Sequence, residues 1–311
     1  MPESTPTGFD TQVKTLKCES CGAQISYDIH TRSLTCPYCG SNHVIETAEP
    51  DIPRPQRLVL FQIDRDKALE LFWKWLGNGW FRPRDLTSSA SVENLRGVYL
   101  PFWAVGANAE SSWTGDAGYD YTEQEPHTVR DAQGQSRTEY RTVTKTRWQP
   151  ASGQHQSRYD DLLVVASAAM TQAWETNIQP FDMTKAVPYA PEYLMGYAAE
   201  NPTTTLEVAV RSAKEEFHRM EHEACEAMVP GDRYQNVNVV TRLSNVTHDL
   251  ALLPLWIAAY RYKGEVYRFL VNGQSGKVQG KAPTSWAKVV ALIVGIGAAV
   301  GIGALIYSLT R

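Results

Sequence analysis

One run of nineteen residues without a charge or strong polar group, Val289–Tyr307 (VVALIVGIGAAVGIGALIY), constrains this chain more than any other feature. As a helix rising 1.5 Å per residue it is roughly 28 Å long, close to the hydrocarbon thickness of a bilayer. Trp286 and Tyr307 stand at its ends, where amphipathic rings settle at the headgroup level. A soluble domain seldom holds so long an uncharged run, so residues 286–311 are expected to be a C-terminal transmembrane anchor rather than a core helix. Ala291, Gly295, Ala299 and Gly303 recur every four residues along one stripe of it, and Gly297 and Gly301 form a G-x-x-x-G pair on a neighbouring one. Small residues let two backbones approach closely in lipid. The anchor is therefore expected to pair with itself or with a partner's span. The plainer reading, small residues that only tolerate lipid, stays open.

The rest of the chain is a different material. A formal net charge of −4 with 21% charged residues is ordinary for a soluble globular protein, and the stretch ahead of the anchor is long enough for one large domain or two smaller ones. The opening MPESTPTGFD has neither a basic n-region nor an apolar h-region, so no secretory signal is expected. Lys277, Lys281 and Lys288 precede the span and Arg311 follows it, which places the large N-terminal part on the cytoplasmic side.

Four of the five cysteines form Cys18-Glu-Ser-Cys21-Gly and Cys36-Pro-Tyr-Cys39-Gly, a C-x2-C-x14-C-x2-C array. Each knuckle turns two thiolates toward one centre, and two knuckles supply the tetrahedral sulfur set that structural zinc prefers. Four free or disulfide-bonded cysteines suit a small cytoplasmic module poorly, because it has little core of its own. Zinc on Cys18, Cys21, Cys36 and Cys39 is the expectation, with iron left open because rubredoxin-type sites use the same knuckles. A closed four-sulfur shell has no vacant position for a substrate, so the metal is read as structural. Gln24–Tyr27 and Ser33–Thr35 read as the short strands of a zinc ribbon spanning residues 1–46.

Nucleic-acid binding needs a basic footprint. Residues 1–57 carry five basic and seven acidic side chains, a net of −2, which argues against it. Residues 47–57 hold three prolines and no apolar period and read as a stiff linker. Residues 58–285 are expected to form a β-rich α+β cytoplasmic domain. There Asp64 is a natural N-cap for a helix that buries Ala68, Leu69, Leu71, Phe72, Trp75 and Leu76 and ends at Gly77.

Val98–Val105 and Leu252–Tyr260 each place a proline two residues ahead of a tryptophan in an apolar run, which suggests two related β-units. Arg137–Trp148 reads as one arm of a long polar hairpin after Asp131–Gly134, and Asp160–Ala166 as a buried strand entered from a charged turn. A helix is expected over 205–228, with Thr204 and Glu207 at capping-box spacing. Leu206, Val210, Ala213, Phe217, Met220, Ala224 and Ala227 repeat 4-3-4-3 along its apolar seam, with Glu215, His218, His222 and Cys225 on the opposite, solvated face.

Other chemistry is missing. His218-Arg-Met-Glu-His222 lacks the glutamate position of a zinc protease, and Asn272-Gly273-Gln-Ser-Gly276-Lys277 lacks the spacing of a Walker A loop and reads as a hairpin turn. No carboxylate pair stands out, so no catalytic residue is assigned and no enzyme is expected.

The two knuckles, Leu100-Pro101-Phe102-Trp103, Val187-Pro188-Tyr189-Ala-Pro191-Glu-Tyr193-Leu194, Leu253-Pro254-Leu255-Trp256 and Val271-Asn272-Gly273-Gln274-Ser-Gly276-Lys277 resemble those of bacterial tail-anchored zinc-ribbon membrane proteins. These carry a transcription-factor-IIB-type ribbon and are often labelled primosomal-helicase-like; no nucleotide-binding motif accompanies that label here. The resemblance covers nearly the whole chain and departs from the simplest pattern at the polar region 119–158. Such proteins are encoded near stomatin/flotillin-like or phage-shock-type proteins. The resemblance thus implies an adaptor at the bacterial inner membrane that recruits cytoplasmic proteins, including in membrane stress. A membrane-tethered nucleic-acid or transcription-associated module is the alternative.

Overall fold

The computed structural model describes residues 13–20, 24–28, 36, 44–46, 53–130, 136–167, 178–194 and 196–309. Asp64 starts the first helix, α1 (Arg65–Gly77), as its side chain dictates: Oδ1 accepts the Lys67 amide at 2.7 Å, satisfying a donor that the first turn leaves open. Ala68, Phe72 and Leu76, four residues apart, are its buried stripe. Asp64→Ala is expected to cost about 1 kcal/mol and to speed amide exchange at Lys67, seen by hydrogen–deuterium exchange; unchanged exchange there would show the cap to be idle.

The chain is mixed α/β and strand-rich. Ahead of α1 come β1 (Val13–Cys18), β2 (Gln24–Asp28), β3 (Val44–Glu46) and β4 (Arg57–Val59). After it follow the short α2 (Leu86–Ser89), then β5 (Ser91–Arg130), β6 (Ser136–Val165), β7 (Ala186–Pro188) and β8 (Ala198–Glu200). Helix α3 (Leu206–Ala227) leads to β9 (Arg233–Tyr262), β10 (Glu265–Asn272), β11 (Val278–Gly280) and the final helix α4 (Trp286–Leu309). Two compact units result, each assembled from separated stretches: residues 1–103, 165–205 and 249–311 in the first, 104–164 and 206–248 in the second.

In the first unit β9 and β10 form an antiparallel hairpin with Trp256 opposite Val271, and β10 continues into β11. Helix α1 lies on this hairpin: Phe72 stacks on Phe269 with ring centroids 3.7 Å apart, beside Tyr260. Two parallel pairs extend the sheet, Leu58 opposite Leu252 and Val98 opposite Ala198. Val98–Ala104 and Leu250–Ala258 are buried at every position, as strands covered on both faces are. The cysteine-rich segment joins the same sheet: β1 pairs with β2 and β3, and β2 pairs with β8 through Ile25 and Glu200. Cys18 and Cys36 are buried, whereas Cys21, Cys39 and the expected strand Ser33–Thr35 lie outside the described residues.

Both proline–tryptophan stretches use their indoles alike. Trp256 Nε1 donates to the Ile63 carbonyl at 2.8 Å and Trp103 Nε1 to the Thr204 carbonyl at 2.9 Å. Ile63 precedes Arg65, the start of α1, by two residues, and Thr204 precedes Leu206, the start of α3, by two.

The second unit is a ladder of β9, β5 and β6 covered on one face. Ala109, Ser111 and Trp113 of β5 are buried and alternate with exposed Glu110 and Ser112. On β6 the half-buried His155, Ser157 and Tyr159 alternate with exposed Gln154, Gln156 and Arg158. A period of two with one face dry is what an antiparallel sheet under a helix requires. That helix is α3, whose Phe217 stacks on Tyr159 at 4.7 Å.

Two sequence expectations are corrected in this unit. The buried stripe of α3 is Ala209, Ala213, Phe217, Glu221 and Cys225, an i+4 ridge and not the 4-3-4-3 seam. Ala213 and Phe217 lie on both; Cys225, expected on the solvated face, is fully buried. The 3.5-residue repeat suits a helix supercoiling about another helix, whereas α3 crosses a sheet and contacts it along an i±4 row. Nor does a charged turn precede Leu162: β6 runs unbroken from Ser136 to Val165, with Asp161 at φ +54° inside it.

Candidate functional site

The period of two on β6 and the i+4 ridge on α3 bring together side chains that local patterns keep apart. Glu221, completely buried, carries its carboxylate into the sheet face. Tyr159 donates its hydroxyl to Oε1 at 2.6 Å, and Ser111 donates to Oε2 at 2.6 Å. His155 Nδ1 lies 2.9 Å from Oε2. An ionised carboxylate only accepts, so Nδ1 carries the proton. Ser111 spends its one proton on Glu221, which makes Thr241, 2.8 Å away, the donor in their contact.

Burial is the largest single influence on Glu221 and opposes its ionisation. The hydrogen bonds from Ser111, Tyr159, His155 and Ser157 together outweigh it and hold the carboxyl at about 2. The neighbours respond as expected beside a buried anion. Burial, then the bond to Glu221, pushes the Tyr159 phenol up to about 12, and burial, then the Glu221 charge, raises the Cys225 thiol. The result is a fixed negative charge held by neutral hydroxyls and one imidazole.

His155, Glu221 and Cys225 each place a ligand atom within 4.8 Å of the others, so this buried group could hold a metal ion. Imidazole, carboxylate and thiol together suit a borderline transition metal. Loading would require the thiolate form of Cys225, so it would release a proton. Without metal, Glu221 of α3 with Ser111, His155 and Tyr159 of the strands forms a hydrogen-bonded lock between α3 and the sheet. Glu221 is the acidic residue of His218-Arg-Met-Glu-His222; its two flanking histidines are exposed, as expected of a solvated face. The signal that could have found the site is the shared parity of His155, Ser157 and Tyr159, set beside Glu221 and Cys225 one turn apart.

The other assigned residues fall as follows. Cys18, at the end of β1 opposite Val44, and Cys36 are buried, and Cys21 and Cys39 lie outside the described residues. Ala291, Gly295, Gly297, Ala299, Gly301 and Gly303 all lie exposed on α4. The turn Asn272–Lys277 is a hairpin between β10 and β11, as its sequence indicates, and it acts as a clamp. Asn272 Oδ1 accepts the amides of Gln274 and Ser275, while its Nδ2 donates to the carbonyls of Ile178 and Pro180. Gln274 exchanges two bonds with the backbone of Asp182, and Lys277 Nζ donates to the Gln179 carbonyl. Those buried amides explain the motif without any phosphate.

No family model matches the chain, and no solved structure matches it. The chain is similar to YdjG, an uncharacterised protein of Bacillus subtilis (strain 168), with 27% identity over 332 aligned positions that take in 90% of this chain and 93% of that protein.

Proposed function

We propose that this chain is a membrane-tethered adaptor that recruits or organises cytoplasmic proteins at the bacterial inner membrane, with a role in membrane stress. One observation carries the reading: α4 is long and apolar enough to cross a membrane, and none of its window Trp286–Gly303 is buried, although the rest of its unit builds a dense core. A core helix of that composition would be covered by protein; this one is left for lipid. The lysines ahead of it orient residues 1–285 to the cytoplasm. A structural zinc on Cys18, Cys21, Cys36 and Cys39 would fix the N-terminal ribbon, and the exposed small-residue stripe of α4 offers a surface for self-association. The matched bonds of Trp103 and Trp256 support an origin of the two β-units by duplication. Stomatin/flotillin-like or phage-shock-type proteins are the partners this reading favours.

Two measurements test it. The full chain should stay with the membrane through alkaline extraction, and a chain ending at residue 285 should be released. Affinity capture from detergent extracts should return the same protein partners with and without nuclease. Release of the full chain at alkaline pH would defeat the anchor, and partners lost on nuclease treatment would favour the nucleic-acid-associated reading.

A further inference from the structure

The segment that follows α1, Gly79-Trp80-Phe81-Arg82-Pro83-Arg84, departs from the rule that large apolar side chains go inside. Trp80 is 80% exposed and Phe81 40% exposed. The loop is nevertheless held firmly, and what holds it is the foot of α4. Ser285 N donates to the Phe81 carbonyl at 2.6 Å, and Lys288 Nζ donates to the carbonyls of Trp80 at 3.1 Å and Arg82 at 2.7 Å. Arg82 turns inward: its guanidinium lies 4.1 Å from the Trp75 ring centre and donates to the Trp75 carbonyl.

Between loop and helix opens a cleft of about 400 Å³ lined by Trp80, Arg84, Lys288, Ala291 and Leu292. Its chemistry is graded. Two cations and an indole edge form one part, and the first apolar turns of α4 form the other. Lys288 has three ammonium donors and spends two on carbonyls, which leaves one. The nearby carboxylate of Asp85 is already engaged by the Tyr262 hydroxyl at 2.9 Å and by Lys263 at 3.4 Å, so it does not neutralise the pair.

We propose that this cleft binds the headgroup of an anionic phospholipid, with Arg84 and Lys288 on its phosphate, Ala291 and Leu292 along the start of an acyl chain, and Trp80 seated in the membrane interface. The proposal rests on α4 spanning the membrane. In that position Trp286, itself 75% exposed, marks the interface at the foot of α4, the level at which Lys288 holds the loop. Tryptophan is the side chain that prefers this depth, and basic groups there attract anionic lipid. A free phosphate would meet the same two cations but leave the apolar wall and the exposed indole without a role, so the lipid is the occupant.

The test uses the full chain in nanodiscs, with the Trp80 fluorescence taken as the difference between wild type and Trp80→Phe. When the minor lipid component is phosphatidylglycerol brominated near the headgroup end of its chains, that difference signal should be quenched about twofold more than when the minor component is brominated phosphatidylcholine. Arg84→Gln should abolish the preference, and added inorganic phosphate should leave it intact. Equal quenching by the two lipids, or a preference erased by inorganic phosphate, would overturn the lipid site. A Trp80 signal untouched by either lipid, with the chain resident in the disc, would overturn it while leaving the anchor in place. A chain that fails to enter the disc would remove the anchor and the site together.

Discussion

Glu221→Ala is expected to destabilise the second unit by about 3–5 kcal/mol, because it strands the donors that now share one carboxylate, the buried Ser111 and the half-buried Tyr159 and His155. Glu221→Gln keeps the volume and removes the charge, so about 1–3 kcal/mol is expected there. Thermal unfolding of the full chain in detergent, with hydrogen exchange read over residues 206–227, checks both. The acid limb adds a separate signature. The Glu221 carboxyl is held at about 2 in the fold against an ordinary 4.5. A depressed carboxylate contributes stability above its unfolded pKa, here about 3 kcal/mol, and that contribution is lost as pH falls from about 4.5 to about 2. The alanine variant should therefore show a shallower decline across that window. An unchanged acid profile with wild-type exchange in α3 would show that the carboxylate is not the lock between helix and sheet.

If the proposed four-cysteine site holds a metal, Cys36→Ser is expected to reduce it from about one equivalent to less than about half, because a tetrahedral sulfur site loses most of its affinity with one ligand. The fold limits how far that damage spreads. Strand β2 meets β8 at Ile25–Glu200 and Ser26–Ala199, while β8 is held independently by its parallel pairing with β5 at Val98–Ala198. Exchange should therefore rise through residues 13–46, modestly at 198–200, and not at all in α1. Elemental analysis of freshly purified wild type tests the proposed site and distinguishes zinc from iron in it. Protein that is metal-free yet protected from exchange over β1 and β2 would show that the knuckles hold no ion.

What could be read from the sequence was local. Asp64 was legible as the cap of α1 because the capping bond reaches only three residues, Gly77 is where the helix ends, and the Asn272–Lys277 turn announces itself through its own glycines. The apolar character of α4 is likewise a property of consecutive residues. The Glu221 site was hidden for the opposite reason. Ser111, His155 and Tyr159 lie 110, 66 and 62 residues from Glu221, on strands whose register only the folded sheet sets. A glutamate between two exposed histidines looks like one more solvated charge. Only the i+4 ridge of Ala209, Ala213 and Phe217, extended by two more turns, shows that Glu221 and Cys225 face inward. The heptad-like seam competed with that ridge because the two share Ala213 and Phe217.

The way α1 is covered has a consequence for the protein's birth. Its floor is the β9–β10 hairpin, and the bond from Trp256 to Ile63 closes 193 residues of chain. At synthesis rates of about 5–20 residues per second, α1 leaves the ribosome roughly 10–40 s before the strands it rests on. During that interval Phe72 and Leu76 have only the few neighbours made soon after them, Leu86 and Leu95, and lack Tyr260, Phe269 and Val271. Such long-range closure also slows folding once the chain is complete. The nascent chain is thus a natural client for a holding chaperone, and a ribosome stalled after α1 but before Asn272 leaves behind a product whose helix lacks the hairpin that covers it.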